Sequence, residues 1–450
     1  MRPLEDARDR MQALVGRAWD QAKSPLYRNA FFIMLASLIG APLGFVFLFV
    51  VYKYYDLTDA GYAAAMVNTI TFLVGIGSLG LPIALIRFLP ESDDPPALVN
   101  TSLSIAGGLS AALALVFILG LGIWAPNLRL IFANPVYLLI IPLTAMAYAF
   151  GPVLDQATIG VRRADLFAIR VAILSVIKIP LPLLFVLAFR DELGGTLGVY
   201  MSWSLSFAIS VIVVGLVLLP RVIPGYRPRP RLSRSRLRPM FRFSVGNWVA
   251  SLIGSAGSLL LTLLIINTLP EATGSTAVAV YYAVTVMAGI LIVIPQATMS
   301  SLYAEASQRN AERRRDERRA IGLSIALLIP GIIAMWLFAD VLLRLFENTT
   351  LADQGAGPLR ILTLSSIPIF LNSVFGTRVR VRKEIIPLIV SAEIGSGVTL
   401  GLGYVLLQSY GLVGLAIAVV LGQAASTPYL LVVAGRPMEE EPMAAPIRVP

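Results

Sequence analysis

Lys178, Asp155 and Glu393 are ionisable residues set within long apolar stretches of the chain. A Lys at the centre of a membrane helix costs about 2.5–3.5 kcal/mol, so it needs a partner or a watery cavity. Lys178 lies about 18 Å along a helix from its entrance near Leu166, and Asp155 about 9 Å deep in the preceding stretch. Two readings stand side by side for Lys178: an anion or ion-coupling contact, or a structural pair with Asp155 as its partner. Glu393 stands 215 residues after Lys178. It is either an acid that binds a coupling cation or a capped carboxyl packed inside the protein. Other chemistry is excluded by what the chain lacks. It has no His, the commonest general base and metal ligand, and no Cys, so thiol and disulfide chemistry are absent. No Gly-(four residues)-Gly-Lys-Ser/Thr phosphate loop occurs. The sequence therefore predicts no enzyme, no cofactor and no metal site.

The elements that must hold these residues are legible from hydropathy. Twelve apolar stretches run from 29–52 to 411–434, each long enough to cross a hydrocarbon core of about 30 Å. With the N-terminus taken as inside, 30 Lys and Arg fall in inner segments and 5 in outer ones. Such a bias places both termini on the cytoplasmic side of a multi-pass cell-membrane protein. The net charge of +10 follows from this topology and from contact with anionic lipids, not from nucleic acid, because no soluble domain presents a basic face. The outer loops read as short, the longest running from about Leu345 to Gly357. That leaves no room for the acid–base residues of a glycan polymerase.

Five regions result. Residues 1–28 form a cytoplasmic interfacial segment, with no features of a signal peptide. Residues 29–220 form an N-terminal six-helix lobe and 242–434 a C-terminal one. The basic, Pro-rich stretch 221–241 reads as an extended connector, and 435–450 as a disordered tail. The lobes repeat: Ala36-Ser37-Leu38-Ile39-Gly40 recurs as Ala250-Ser251-Leu252-Ile253-Gly254, and Glu91 meets Glu305, both 214 residues on. Gln156…Gly160-Val161-Arg162 is matched by Asn372…Gly376-Thr377-Arg378. Six crossings return the chain to its starting side, so the halves are expected to be related by a pseudo-two-fold axis along the membrane normal. Pro42, Pro82 and Pro295 mark helices that bend. The pairs Gly40/Gly44 and Gly397/Gly401 have the spacing of close helix packing.

The stretch Asp59-Ala60-Gly61-Tyr62, then Gly77-Ser78-Leu79-Gly80-Leu81, then Ala84-Leu85-Ile86-Arg87-Phe88-Leu89-Pro90-Glu91 resembles the second helix of the polysaccharide/oligosaccharide flippases. These belong to the multidrug/oligosaccharidyl-lipid/polysaccharide (MOP) exporter superfamily. Gly160-Val161-Arg162-Arg163 leading into the stretch with Lys178 is similar to the same family. The resemblance implies an all-α fold of two six-helix lobes around a cavity lined by the first, second, seventh and eighth segments. It also implies alternating-access movement of polyprenyl-(di)phosphate-linked oligosaccharide across the cytoplasmic membrane. Glycosyltransferases or a polymerase of the same pathway would be its partners. On this reading Arg28 and Arg87 collect phosphate at the inner mouth, or simply snorkel to headgroups. Lys178 is a further phosphate contact, and Asn68, Asn247, Tyr281 and Tyr282 meet sugar hydroxyls or else bond helix to helix. The rivals are an ion-coupled multidrug exporter of the same superfamily and a non-transporting scaffold or scramblase. The first, second, seventh and eighth stretches hold no Asp or Glu for a cationic drug to pair with.

Overall fold

A computed structural model of the chain describes residues 25–189, 194–306, 313–382 and 384–436. Of the interfacial segment expected over 1–28, residues 1–24 lie outside the described residues and 25–28 belong to the first helix; of the tail expected over 435–450, residues 437–450 lie outside them. Within them all regular structure is helical. In hydrocarbon the backbone has no water to bond, so a chain this apolar satisfies its amides within helices.

The helices used below are α1 (Pro25–Tyr54), α2 (Leu57–Gly77), α3 (Leu81–Phe88), α4 (Pro95–Leu119), α5 (Val136–Gly160), α6 (Ala164–Lys178), α7 (Pro180–Ala188), α8 (Thr196–Ile212), α9 (Arg234–Thr268), α10 (Glu271–Ala306), α11 (Arg313–Leu337), α12 (Thr349–Leu364), α13 (Ser366–Val381) and α14 (Ile386–Ala434). Among the described residues, ten helical spans are long and apolar enough to cross a membrane, and Ile321–Leu337 is a shorter apolar helix. The protein is thus a multi-pass membrane protein. The 49 residues of α14 contain a break at Gly411, with φ 57° and ψ −144°. There the chain doubles back, so that Gly403 faces Leu415, Gly395 faces Gly422 and Gly422 abuts Thr399. Counting those two arms separately and including the shorter helix gives twelve apolar helical segments.

The turn at Arg162, the connector 221–233, which bonds Asn100 near the start of α4, and the turn at Arg382, which bonds the end of α14, share one side of the molecule, the basic face. Residues 55–56, 194–195 and 345–348 lie on the opposite face. On that face Asp59 accepts hydrogen bonds from the backbone N–H of Thr196 (2.9 Å) and its hydroxyl (2.5 Å), holding the start of α8 against α2.

The second apolar stretch is not one helix. Leu79 and Gly80 both have positive φ, 49° and 69°, and split it into α2 and α3, with Pro82 in the first turn after the break. A Cβ at Gly80 would lie 2.7 Å from Trp248 Cβ, so only Gly fits. The carbonyls loosened by the break are met from α9. Trp248 Nε1 donates to Gly75 O at 2.8 Å and Ser244 Oγ to Leu79 O at 3.4 Å. Pro42 sits within the continuous α1, whereas Pro180 separates α6 from α7.

Several sequence expectations are corrected. The connector is extended only to Ser233, and α9 begins at Arg234 and carries Pro239 inside it. The extended part is strapped to α4: Asn100 Nδ2 donates to Arg227 O (2.8 Å), Arg231 N–H to Ser104 Oγ (3.0 Å), and Arg231 pairs with Asp94 (3.3 Å). Burial in this strap pushes the Tyr226 hydroxyl up to about 12. The expected loop Leu345–Gly357 is mostly α12, whose N-terminus is capped by Asn348 accepting from Leu351 N–H. Gly44, Gly397 and Gly401 face open space, so that glycine spacing does not mark close packing.

Close approach occurs elsewhere. A Cβ at Gly61 in α2 would fall 1.7 Å from the carbonyl oxygen of Ser275 in α10. Gly61 and Ser275 are 214 residues apart, the interval of the sequence repeat. A Cβ at Gly40 in α1 would lie 3.4 Å from Val171 of α6, and one at its repeat-mate Gly254 in α9 would lie 3.7 Å from Ala392 of α14. Gly61→Val is expected to lose about 1–3 kcal/mol through overpacking. A thermal midpoint in detergent lower by several degrees would show it; an unchanged midpoint would mean that α2 and α10 do not cross there.

Candidate functional site

Asp155 and Arg170 stand five and six residues from the α5–α6 turn, hence at nearly equal depth, whereas Lys178 is some 20 Å along α6. Geometry therefore selects Arg170 as the partner of Asp155. Nε and Nη2 of Arg170 donate to the two carboxylate oxygens at 2.5 and 2.6 Å, and both residues are buried. This overturns the expected Lys178–Asp155 pair, and it removes Arg170 from the inner-loop charges among which the sequence count placed it. A charge pair out of water is tolerable only when bidentate and bonded in this manner.

Lys178 has no carboxylate partner among the described residues. Its ammonium lies over the Phe47 ring at 4.7 Å. Phe47 packs on Trp203 (5.1 Å), which meets Tyr282 edge-on at 5.7 Å. One predicted cation and one predicted tyrosine thus share an aromatic seam where α1 and α8 meet α10. Tyr281 points elsewhere and lines a small cavity of about 170 Å³ with Thr285 and Thr399. Arg87 stands exposed at the basic end of α3 with its guanidinium 4.6 Å from the Phe243 ring. Asn68 is half-buried in α2, with no hydrogen bond to its side chain among the described residues. Glu393 is exposed on α14, so the packed-carboxyl reading fails. Arg28 falls on α1, but its side chain lies outside the described residues.

Asn247 opens onto a polar cavity of about 840 Å³ between α9, α13 and the two arms of α14. Asn247, Ser251 and Gly254 line it from α9; Asn372, Ser373, Gly376, Thr377 and Arg380 from α13; Ser391, Gly395, Ser396, Gln423 and Ser426 from α14. The small cavity around Tyr281 shares Gly254, Gly395, Ser396 and Gln423 with it, so the two are continuous. Among the described residues, no Asp or Glu lines either space, and Arg380 is the one charged residue in their walls. The resemblance implied a cavity along the first, second, seventh and eighth segments. This one lies behind the seventh, and Ile83 of α3 is its single lining residue from before the connector.

Sequence reasoning found Asn247 and Tyr281 here and missed the rest. A signal was present. Asn247, Ser251, Gly254 and Ser258 recur at intervals of three or four, as do Ser373, Thr377 and Arg380, and Ser391, Gly395 and Thr399. Each set marks one polar or small face of a helix. Such faces also serve ordinary helix packing, so the pattern alone does not single out a cavity.

Comparison with known proteins follows the same lines. The polysaccharide biosynthesis protein family profile matches residues 26–303, and the MatE profile matches residues 249–405. An uncharacterized membrane protein of Methanocaldococcus jannaschii is 22% identical over 413 residues, covering 86% of this chain and 80% of its own length. Among solved structures, an inward-facing multidrug resistance MATE family transporter of the MOP superfamily superimposes with a TM-score of 0.70 at 15% identity, covering 90% of this chain and 97% of that one. The lipid II flippase MurJ in an inward closed conformation gives 0.67 at 13% identity, over 90% and 87%. A MOP superfamily transporter from Pyrococcus furiosus, described as having a binding pocket of reverse polarity, gives 0.63 at 14%, over 91% and 94%. These likenesses fix the fold as that of the MATE and MurJ transporters.

Breaking the buried pair has a defined cost. Asp155→Ala strands Arg170 and is expected to lose about 3–5 kcal/mol, whereas Asp155→Leu with Arg170→Met together is expected to be near neutral. Chemical denaturation in detergent checks both. An Asp155→Ala protein as stable as the parent would contradict the pairing.

Proposed function

This chain belongs to the polysaccharide biosynthesis protein family of the MOP transporter superfamily, and we propose that it moves a polyprenyl-(di)phosphate-linked oligosaccharide across the cytoplasmic membrane. The observation that carries the reading is electrostatic. The interior offers cations and neutral polar groups but no carboxylate for a cationic drug: Asp155 is held by Arg170, the cavity walls contain no acid, and Glu393 is not among the cavity-lining residues. A buried organic cation left unpaired would cost several kcal/mol. An anionic phosphate beside unpaired Lys178 or Arg380 incurs no such penalty.

The movement we propose is alternating access between residues 29–220 and 242–434, about an axis passing between the repeat-mates Gly61 and Ser275. On the opposite face the two halves are locked together. Tyr52 Oη donates to Ala279 O at 2.8 Å, Thr58 and Thr276 hydroxyls meet at 3.2 Å, and Lys53 pairs with Glu347 at 3.1 Å. Asn127 and Asn267 each donate across the halves, to Ile266 O (2.6 Å) and Trp124 O (2.8 Å). The large cavity, by contrast, ends at exposed Arg380 toward the basic face. On this reading the carrier loads from the basic side, which is taken as cytoplasmic together with both termini. Anionic lipids would surround that face, and glycosyltransferases or a polymerase of the pathway would supply and consume the glycan.

The test is transbilayer movement of a fluorescent undecaprenyl-diphosphate-linked trisaccharide in proteoliposomes, followed with a membrane-impermeant quencher. Protein-dependent movement is expected. The chain has no cysteine of its own, so Lys53→Cys with Glu347→Cys can be joined by a short bismaleimide. Joining is expected to stop movement, and omitting the cross-linker to leave it. Absence of movement with uptake of an organic cation would replace this reading by the drug exporter, and absence of both by a scaffold.

A further inference from the structure

The polar groups around the large cavity divide into two sets. Those of the first set are already bonded to protein. Asn372 Nδ2 donates to Gln423 O and Ser426 Oγ, both at 2.9 Å, and its Oδ1 accepts from Thr427 at 2.8 Å. Ser373, Thr377 and Ser426 donate to carbonyls of their own helices, and Ser396 donates to Ile253 O at 2.7 Å. These groups build the wall, and Asn372 in particular fastens α13 to the second arm of α14.

The second set has no protein partner. Among the described residues, no hydrogen bond or ion pair engages the side chains of Asn247, Ser251, Ser391, Gln423 or Arg380. None of them is sealed away from the space either, since the buried atoms without partners lie at other residues. Groups of this kind in a membrane interior are expensive unless water or a ligand completes them. Two primary amides and two hydroxyls, each donor and acceptor at once, have the chemistry of sugar-hydroxyl recognition. The guanidinium is a planar fork suited to phosphoryl oxygens. Their order is also informative. Arg380 is exposed at the basic end of α13, whereas Gln423 stands eleven residues, about 17 Å, inside the end of α14. The charge thus comes first and the neutral groups lie deeper. At about 840 Å³ the space is in the range that encloses a drug-sized ligand.

We infer that this cavity in the C-terminal half, between α9, α13 and the arms of α14, binds the glycan-phosphate head of the substrate, with Arg380 on a phosphoryl oxygen and Asn247, Ser251, Ser391 and Gln423 on sugar hydroxyls. The inference rests on the transport reading above and adds the location of the head. The sugar leaves the space between the halves and enters the C-terminal one, with Ile83 of α3 as the wall that moves past it.

Ser391→Cys places one thiol in the wall, and N-ethylmaleimide then fills the space without a second change of sequence. Labelling is expected to lower movement of the undecaprenyl-diphosphate-linked trisaccharide at least tenfold, and the trisaccharide lipid to slow labelling at least threefold. Ser251→Cys gives the same readout from the facing helix should the first variant fold poorly. Asp93→Cys, on an exposed basic-face loop, is expected to move substrate equally well labelled or not. Arg380→Gln is expected to raise the lipid concentration for half-maximal rate about tenfold, with Arg380→Lys recovering part of it. Full-rate movement by the labelled Ser391→Cys and Ser251→Cys proteins would overturn the location while leaving the transport reading intact. An unmodified protein that moves no trisaccharide lipid would overturn both.

Discussion

Lipid offers no hydrogen-bond partner, and that absence organises the molecule. Every backbone amide in the hydrocarbon must be bonded internally, so the apolar stretches become helices. Wherever a helix breaks, something must answer for the loosened carbonyls. At Leu79–Gly80 the answer comes from Trp248 and Ser244 across the interface between the halves. The break is therefore not a local defect: α3 can swing only if its contacts with α9 change as well. The same rule governs side chains. Asp155 and Arg170 satisfy each other, Asn372 is bonded through both ends of its amide, and most hydroxyls return to their own backbone. Some buried groups elsewhere also lack a partner, among them the hydroxyls of Thr101, Ser110 and Ser275, and what sets the cavity groups apart is that they open together onto one space.

Much of the fold was legible because it rests on hydropathy. The apolar stretches and their alternation between a basic and a sparse face need only residue type. The repeat interval of 214, read from short words, reappears as the physical contact between Gly61 and Ser275. What hydropathy misplaced were ends and partners. The start of α9 at Arg234 lies in a run of arginines and prolines that reads as a connector, because helical hydrogen bonding does not depend on apolarity. The α12 segment is too polar at its start to show as a span, and its Asn348 cap is the signal that marks it.

The site was less legible, for a reason of depth and direction. The reading that offered Asp155 as a partner for Lys178 had to stretch across unequal depths, whereas distance from the shared turn matches Asp155 to Arg170. Adjacent Tyr281 and Tyr282 face different spaces because successive residues on a helix point about 100° apart. Glu393 and Ser391 part company in the same way, one exposed and one in the cavity wall. The cavity itself is made by small residues, chiefly Gly254, Gly376 and Gly395, whose effect is the space they leave. A single sequence cannot distinguish glycines that leave space from those that permit contact. Here Gly61 belongs to the second kind and Gly254 borders the first.

The central claim is that the two halves exchange which face is sealed around an interior whose buried carboxylate, Asp155, is held by Arg170. Spin labels on the cysteine-free chain measure it directly, with one pair across the opposite face at Thr58 and Glu347 and another across the basic face at Asp93 and Arg436, both exposed and outside the proposed binding site. On adding undecaprenyl-diphosphate-linked trisaccharide, the account predicts a second, longer distance in the first pair and a shorter one in the second. Both pairs fixed, or both lengthening together, would contradict it.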